Sequence, residues 1–153
     1  MFDQIFGLPA HPLMIHAAVV FIPLLAVGSI AYGVVPRVRP RIAWAVVLLA
    51  IAAPAAAFAA KESGEAFFEA MFGGGLPEGP LAARVQEHEG YANPLVLSTF
   101  GLAVSSLLLV YSSRRWGRVT TAVLAVLTVL LALTAAFYVL RAGHTGATAV
   151  WAR

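Results

Sequence analysis

The chain contains no cysteine. Disulfides, thiolate metal sites, iron–sulfur ligation and covalent haem attachment through Cys-x-x-Cys-His are therefore excluded. Any bound metal must be held by histidine, carboxylate or carbonyl ligands. Charge is scarce as well, since Asp, Glu, Lys and Arg make up 11% of the 153 residues, against 61% hydrophobic. So little charge cannot solvate the surface of a compact soluble fold, and a mean hydropathy of +0.87 sets the chain among membrane proteins. Charged pairs inside the apolar runs, the mark of an ion or proton pathway, are missing. So are a Gly-x-Ser-x-Gly context for Ser63 or Ser112 and a His-Glu-x-x-His zinc-protease signature. Gly73-Gly74-Gly75 is not followed by Gly-Lys-Ser/Thr, so it reads as a turn and not as a phosphate loop.

What is present is four long apolar runs, at about 12–35, 42–60, 91–111 and 119–140. Each approaches the ~20 residues that cross a hydrocarbon core of ~30 Å, and only a helix satisfies its own backbone there. The expected fold is all-α: a single-domain, up-down-up-down transmembrane four-helix bundle over 1–153. The start, Met1-Phe2-Asp3-Gln4, lacks the basic region of a cleaved signal, so the first run is expected to stay as a helix. Pro23 and Pro54 are mid-run and should kink their helices. Alanine-rich and serine-rich runs favour close helix packing in lipid. No internal repeat is convincing, although both hairpins share an arginine-rich turn.

Acidic residues are missing from two of the three connections. One holds Arg37, Arg39 and Arg41, the other Arg114, Arg115 and Arg118. The opposite side carries Asp3, Glu62, Glu65, Glu69, Glu78, Glu87 and Glu89, diluted by Lys61, Arg84, Arg141 and Arg153. The positive-inside rule puts both arginine turns in the cytoplasm and both termini outside. The isoelectric point near 9.8 is therefore a topology signal. It does not mark a nucleic-acid surface, because the arginines flank apolar runs. In the long connection between the second and third runs, Gly64 to Phe72 extends the second helix, the glycines end it, and Leu81 to His88 resumes a helical pattern.

His11, His16, His88 and His144 all map to the acidic end of this bundle. His16 lies inside an apolar run, where a polar side chain needs a partner. His11 and His16 are about 140° apart around a helix, so they do not both face one small centre. Gly143 is the expected stop of the last helix, letting His144 fold back over the bundle mouth. Spans one and three are diagonal in an up-down bundle, so His16 and His88 become candidate axial ligands of a b-type haem. His144 is an alternative ligand, His11 is a further candidate, and Arg84 and Arg141 lie where propionates would emerge. The competing arrangement is a zinc, iron or copper ion on His16, His88 and His144 with Glu65, Glu62 or Glu87. A third reading is a structural or assembly subunit whose histidines serve packing.

Two passages carry a family resemblance. Gly7-Leu8-Pro9-Ala10-His11-Pro12-Leu13-Met14-Ile15-His16, followed by Pro23, resembles the opening of the domain-of-unknown-function 2231 family of predicted bacterial four-helix membrane proteins. Gly143-His144-Thr145-Gly146-Ala147 resembles its closing motif, and His88 falls where the third helix begins. The likeness covers essentially the whole chain, and its two end motifs are the specific part. It implies a multi-pass protein of a bacterial plasma membrane. Relatives joined to Rieske or cytochrome-type domains imply electron transfer with a redox partner of that kind; this chain carries no such domain. A homo-oligomer is compatible with all three readings.

Overall fold

A computed structural model describes residues 4–5 and 7–151. Met1 to Asp3 and Arg153, used above for the signal and charge arguments, lie outside the described residues. A two-residue strand pair, β1 (Gln4–Ile5) and β2 (Leu8–Pro9), turns through Gly7 at positive φ and leads into α1 (Ala10–Val34). A single 3-10 turn, Pro36–Val38, joins α1 to α2 (Arg39–Phe72). Then follow α3 (Pro80–Gly90), α4 (Ala92–Arg115) and α5 (Arg118–Trp151). α1 packs on α2 and α5, and α4 packs on the same two, so α1 and α4 are diagonal.

Among the described residues, four helical segments are long and apolar enough to cross a membrane, with α3 and α4 counted as one. The distribution of side chains agrees with lipid surroundings. The interior is built from alanine, serine and threonine together with a few large residues, Ile22, Leu25, Tyr32 and Leu102 among them. Leu97, Leu140 and Trp44 stand 72%, 71% and 67% exposed, the reverse of the usual soluble arrangement. Small and hydroxylated residues bring helices close where lipid gives no hydrophobic drive for their association. On α4 they recur at heptad spacing as Ser98/Thr99, Ser105/Ser106 and Ser112/Ser113. Three of them reach other helices: Ser106 meets Ser29 at 2.8 Å, Ser112 meets Thr121 at 2.8 Å and Ser113 meets Tyr32 at 2.7 Å.

The helix ends follow local chemistry. Gly73 closes α2 in the left-handed conformation (φ 59°) and its N–H donates to Glu69 O at 2.8 Å, as the triple glycine implied. The arginine turn does more than carry charge. Arg39 donates from Nε to Tyr32 O at 2.9 Å and from Nη2 to Gly33 O at 3.0 Å, capping carbonyls that α1 leaves unpaired. At the other end the expectation fails: α5 does not stop at Gly143 but continues to Trp151. A glycine ends a helix by turning left-handed, which Gly143 does not do, and the turn beyond it receives His88 from α3. His144 accordingly remains on the helix. Pro23 and Pro54 are absorbed within α1 and α2, which run through them.

The hairpins α1–α2 and α4–α5 also prove to be two copies of one unit. Leu25-Ala26-Val27-Gly28-Ser29 matches Leu102-Ala103-Val104-Ser105-Ser106, and the terminal serines, 77 residues apart, meet across the bundle. The same offset pairs buried Ile22 with Thr99 and Tyr32 with Leu109, and Arg37 and Arg41 with Arg114 and Arg118. On the second helices a second constant offset pairs Val46 with Thr128, Ala50 with Ala132, Ala53 with Ala135, Ala57 with Val139 and Ser63 with Thr145, all buried. Exchanging the hairpins maps α1 onto α4 and α2 onto α5, a pseudo-two-fold relation about the bundle axis. The sequence hides this repeat because the lipid-facing positions accept any apolar residue and have diverged.

Candidate functional site

The pseudo-two-fold relation extends to two histidines at the end opposite the arginine turns. His11, in the first turn of α1, has Nδ1 at 3.1 Å from Ala60 O and 3.3 Å from Ser63 Oγ on α2. His88, near the end of α3, has Nδ1 at 3.1 Å from Ala142 O and 3.3 Å from Thr145 Oγ1 on α5. The two settings match atom for atom. A carbonyl only accepts, so Nδ1 must carry the proton in both rings, an assignment that rests on the network. The hydroxyls agree, because Ser63 spends its own proton on Ala60 O at 3.0 Å and Thr145 spends its on Arg141 O at 2.9 Å. In a neutral ring Nε2 would then carry the lone pair, the form in which imidazole binds metals, and among the described residues neither Nε2 has a hydrogen-bond partner.

Glycine makes each ring's seat. A Cβ on Gly64 would come within 2.9 Å of His11 Cε1, and one on Gly146 within 3.0 Å of His88 Cε1. Ala60-x-x-Ser63-Gly64 and Ala142-x-x-Thr145-Gly146 are thus one motif used twice, each copy receiving one imidazole. Phe67 stacks on the outer face of His11 with centroids 6.0 Å apart and planes at 23°. The rings of His11 and His88 lie 6.4 Å apart between centroids, with planes at 69°. At ~1.5 Å per residue Ala60 is about 30 Å from the start of α2, so the pair sits at the edge of the thickness a membrane core allows.

The four histidines do share one end of the bundle, but only two meet. His16 is on the exposed side of α1 and donates from Nδ1 to Pro12 O in its own helix. The ~140° between His11 and His16 gives the inward face to one of them, and His11 takes it. His144 is exposed on α5, beside a groove facing α1. Glu65 is exposed and pairs with Lys61, which also lies 3.5 Å from Glu62. Arg141 donates to Tyr91 OH at 2.8 Å from Nη2 and at 3.2 Å from Nε, lies 5.2 Å over the Tyr91 ring, and reaches Glu87 at 3.3 Å. Arg84 is half-buried on α3. Among the described residues no three or more His, Asp or Glu side chains are grouped to hold a metal ion. The ligand set of His16, His88, His144 and Glu65 is therefore not assembled.

Sequence reasoning missed Ser63, Gly64, Thr145 and Gly146 as the seat, and preferred His16 to His11. The duplicated Ala-x-x-Ser/Thr-Gly was the available signal. It becomes legible only once the two hairpins are aligned on their arginine turns.

Four apolar membrane-length helices, an interior of small and hydroxylated residues and a matched imidazole pair define a multi-pass four-helix membrane protein with a two-fold histidine site. The chain belongs to the DUF2231 family of predicted membrane proteins, whose model matches residues 7–153. No curated protein and no solved structure matches the chain.

Proposed function

We propose that the chain is a membrane redox protein that holds one b-type haem between His11 and His88 and passes electrons through it. The observation that carries this reading is the donor set: two imidazoles, each with Nδ1–H anchored, and among the described residues no group of three or more His, Asp or Glu that could hold an ion. A zinc ion wants four protein or water ligands, and mixed imidazole–carboxylate sites for iron or copper(II) also need more than two. Haem iron asks the protein for axial ligands alone. His11 and His88, with ring centroids 6.4 Å apart, would be the residues that hold it.

In this reading His11 and His88 would hold the haem, which would supply one-electron chemistry. The chain's residues orient the imidazoles, fix their tautomers and screen one ring with Phe67. Arg141, one residue before the Ala142 carbonyl that receives His88, and Arg84 on α3 are the cations offered to the propionates. The setting is a bacterial plasma membrane with both termini and the histidine pair outside, on the strength of the acid-free arginine turns. The electron partner is a protein of Rieske or cytochrome type.

Protein purified in detergent after expression with ample haem should carry close to one haem per chain and show sharp low-spin bands on dithionite reduction. Colourless protein with stoichiometric zinc, iron or copper would replace haem by an ion on the same histidines. Colourless, metal-free protein would leave the pair as a structural clamp.

A further inference from the structure

The duplication supplies an internal comparison for the rest of the surface. Between α1 and α5 runs a groove of about 240 Å³ lined by Val19, Pro23, Val139, Leu140, Gly143 and His144. The equivalent face lies between α4 and α2. There the positions of Pro23, Leu140, Gly143 and His144 are occupied by Phe100, Phe58, Lys61 and Glu62. One face of a two-fold bundle is thus bulky, whereas the other is opened by a proline and a glycine and given a histidine.

Two polar groups belong to residues that line this otherwise apolar groove, one on each wall. Pro23 has no N–H, so the carbonyl of Val19, itself on the α1 wall, lacks its helical donor. In hydrocarbon an unpaired carbonyl is costly and calls for a donor from outside the helix. His144 stands on the α5 wall and is exposed. An acyl chain would fill the groove but has no hydrogen to give the carbonyl. A ring with hydroxyls on opposite edges and an apolar tail satisfies both walls.

We infer that this groove binds the ring of a membrane quinol, one hydroxyl donating to Val19 O and the other paired with His144. The site opens sideways to lipid. It also borders the helical turn whose far face, Ala142 O and Thr145, holds His88. The inference does not rest on the haem reading, because the groove and its twin are compared without reference to any bound metal.

The test is saturable binding of a decyl-substituted benzoquinol, kept reduced under anaerobic conditions, to the full chain in detergent micelles. One site per chain is expected, and the oxidised quinone, which has no donor for Val19 O, should bind less tightly. A Cβ at Gly143 meets nothing within 4 Å, so Gly143→Leu should fold and block the groove, abolishing binding. His144→Ala should weaken binding by about tenfold, the loss expected for one hydrogen bond. Lys61→Ala, at the twin of Gly143, should leave it unchanged. Circular dichroism and gel filtration confirm the fold of each variant. Equal binding by Gly143→Leu and the parent, or no saturable binding by the parent, would overturn the assignment, the latter leaving lipid chains as the occupant.

Discussion

Two glycines three positions apart on α5 should respond to alanine with opposite signs. Gly146→Ala is expected to destabilise the protein, and Gly143→Ala to stabilise it. At Gly146 the new methyl would lie 3.0 Å from His88 Cε1, in a ring whose Nδ1 is held by Ala142 O and Thr145 Oγ1. Overpacking of this kind costs about 1–3 kcal/mol. At Gly143 the methyl meets nothing within 4 Å, and removing a glycine from a helix interior gains up to about 1 kcal/mol. Gly64→Ala, with its methyl 2.9 Å from His11 Cε1, should behave like Gly146→Ala. Thermal unfolding in detergent reads all three. Stabilisation by Gly146→Ala would show that the imidazole is not seated on that glycine.

The second large effect concerns the hydroxyls behind the rings. Thr145→Val removes the oxygen 3.3 Å from His88 Nδ1 while keeping the shape of the side chain, and Ser63→Ala does the same for His11. Loss of an outer hydrogen bond to a ligating histidine commonly weakens metal binding by about tenfold or more. The Ala142 and Ala60 carbonyls remain as partners, so about tenfold for each variant is the expected loss of haem affinity. Thr145→Ser should restore it, whereas a purely packing role for Thr145 would not be rescued by serine. The reduction potential provides the independent readout, since the Nδ1 bond tunes the basicity of the ligand. A potential and affinity unmoved by Thr145→Val would remove the hydroxyl from the site.

Much of the architecture was legible in the sequence because lipid imposes it. Apolar length set the four spans, the arginine turns set the hairpins, and the diagonal placement of spans one and three followed from connectivity alone. Gly73 ended α2 as its triplet implied. The last helix was misjudged for a tertiary reason: Gly143 and Gly146 look like a stop locally, yet His88 from α3 locks the turn that contains them. The sequence favoured His16 over His11 on its depth in the apolar run, whereas the structure places His16 on the exposed side of α1 and His11 against α2. His16 is deeper in the apolar run, but depth in a membrane helix says nothing about which side faces lipid. His11 lies nearer the end and faces the bundle, where Gly64 gives it room. The duplication stayed hidden because its signal is confined to buried positions and to a motif of alanine, hydroxyl and glycine that is individually unremarkable.

The central claim is that His11 and His88, and not His16, form the binding site. Haem content per chain, measured side by side for His11→Ala, His88→Ala and His16→Ala after identical expression and purification, tests it most directly. The account predicts that the first two lose the low-spin haem and that His16→Ala keeps it at the parent level. Loss of haem in His16→Ala with retention in His11→Ala would contradict it.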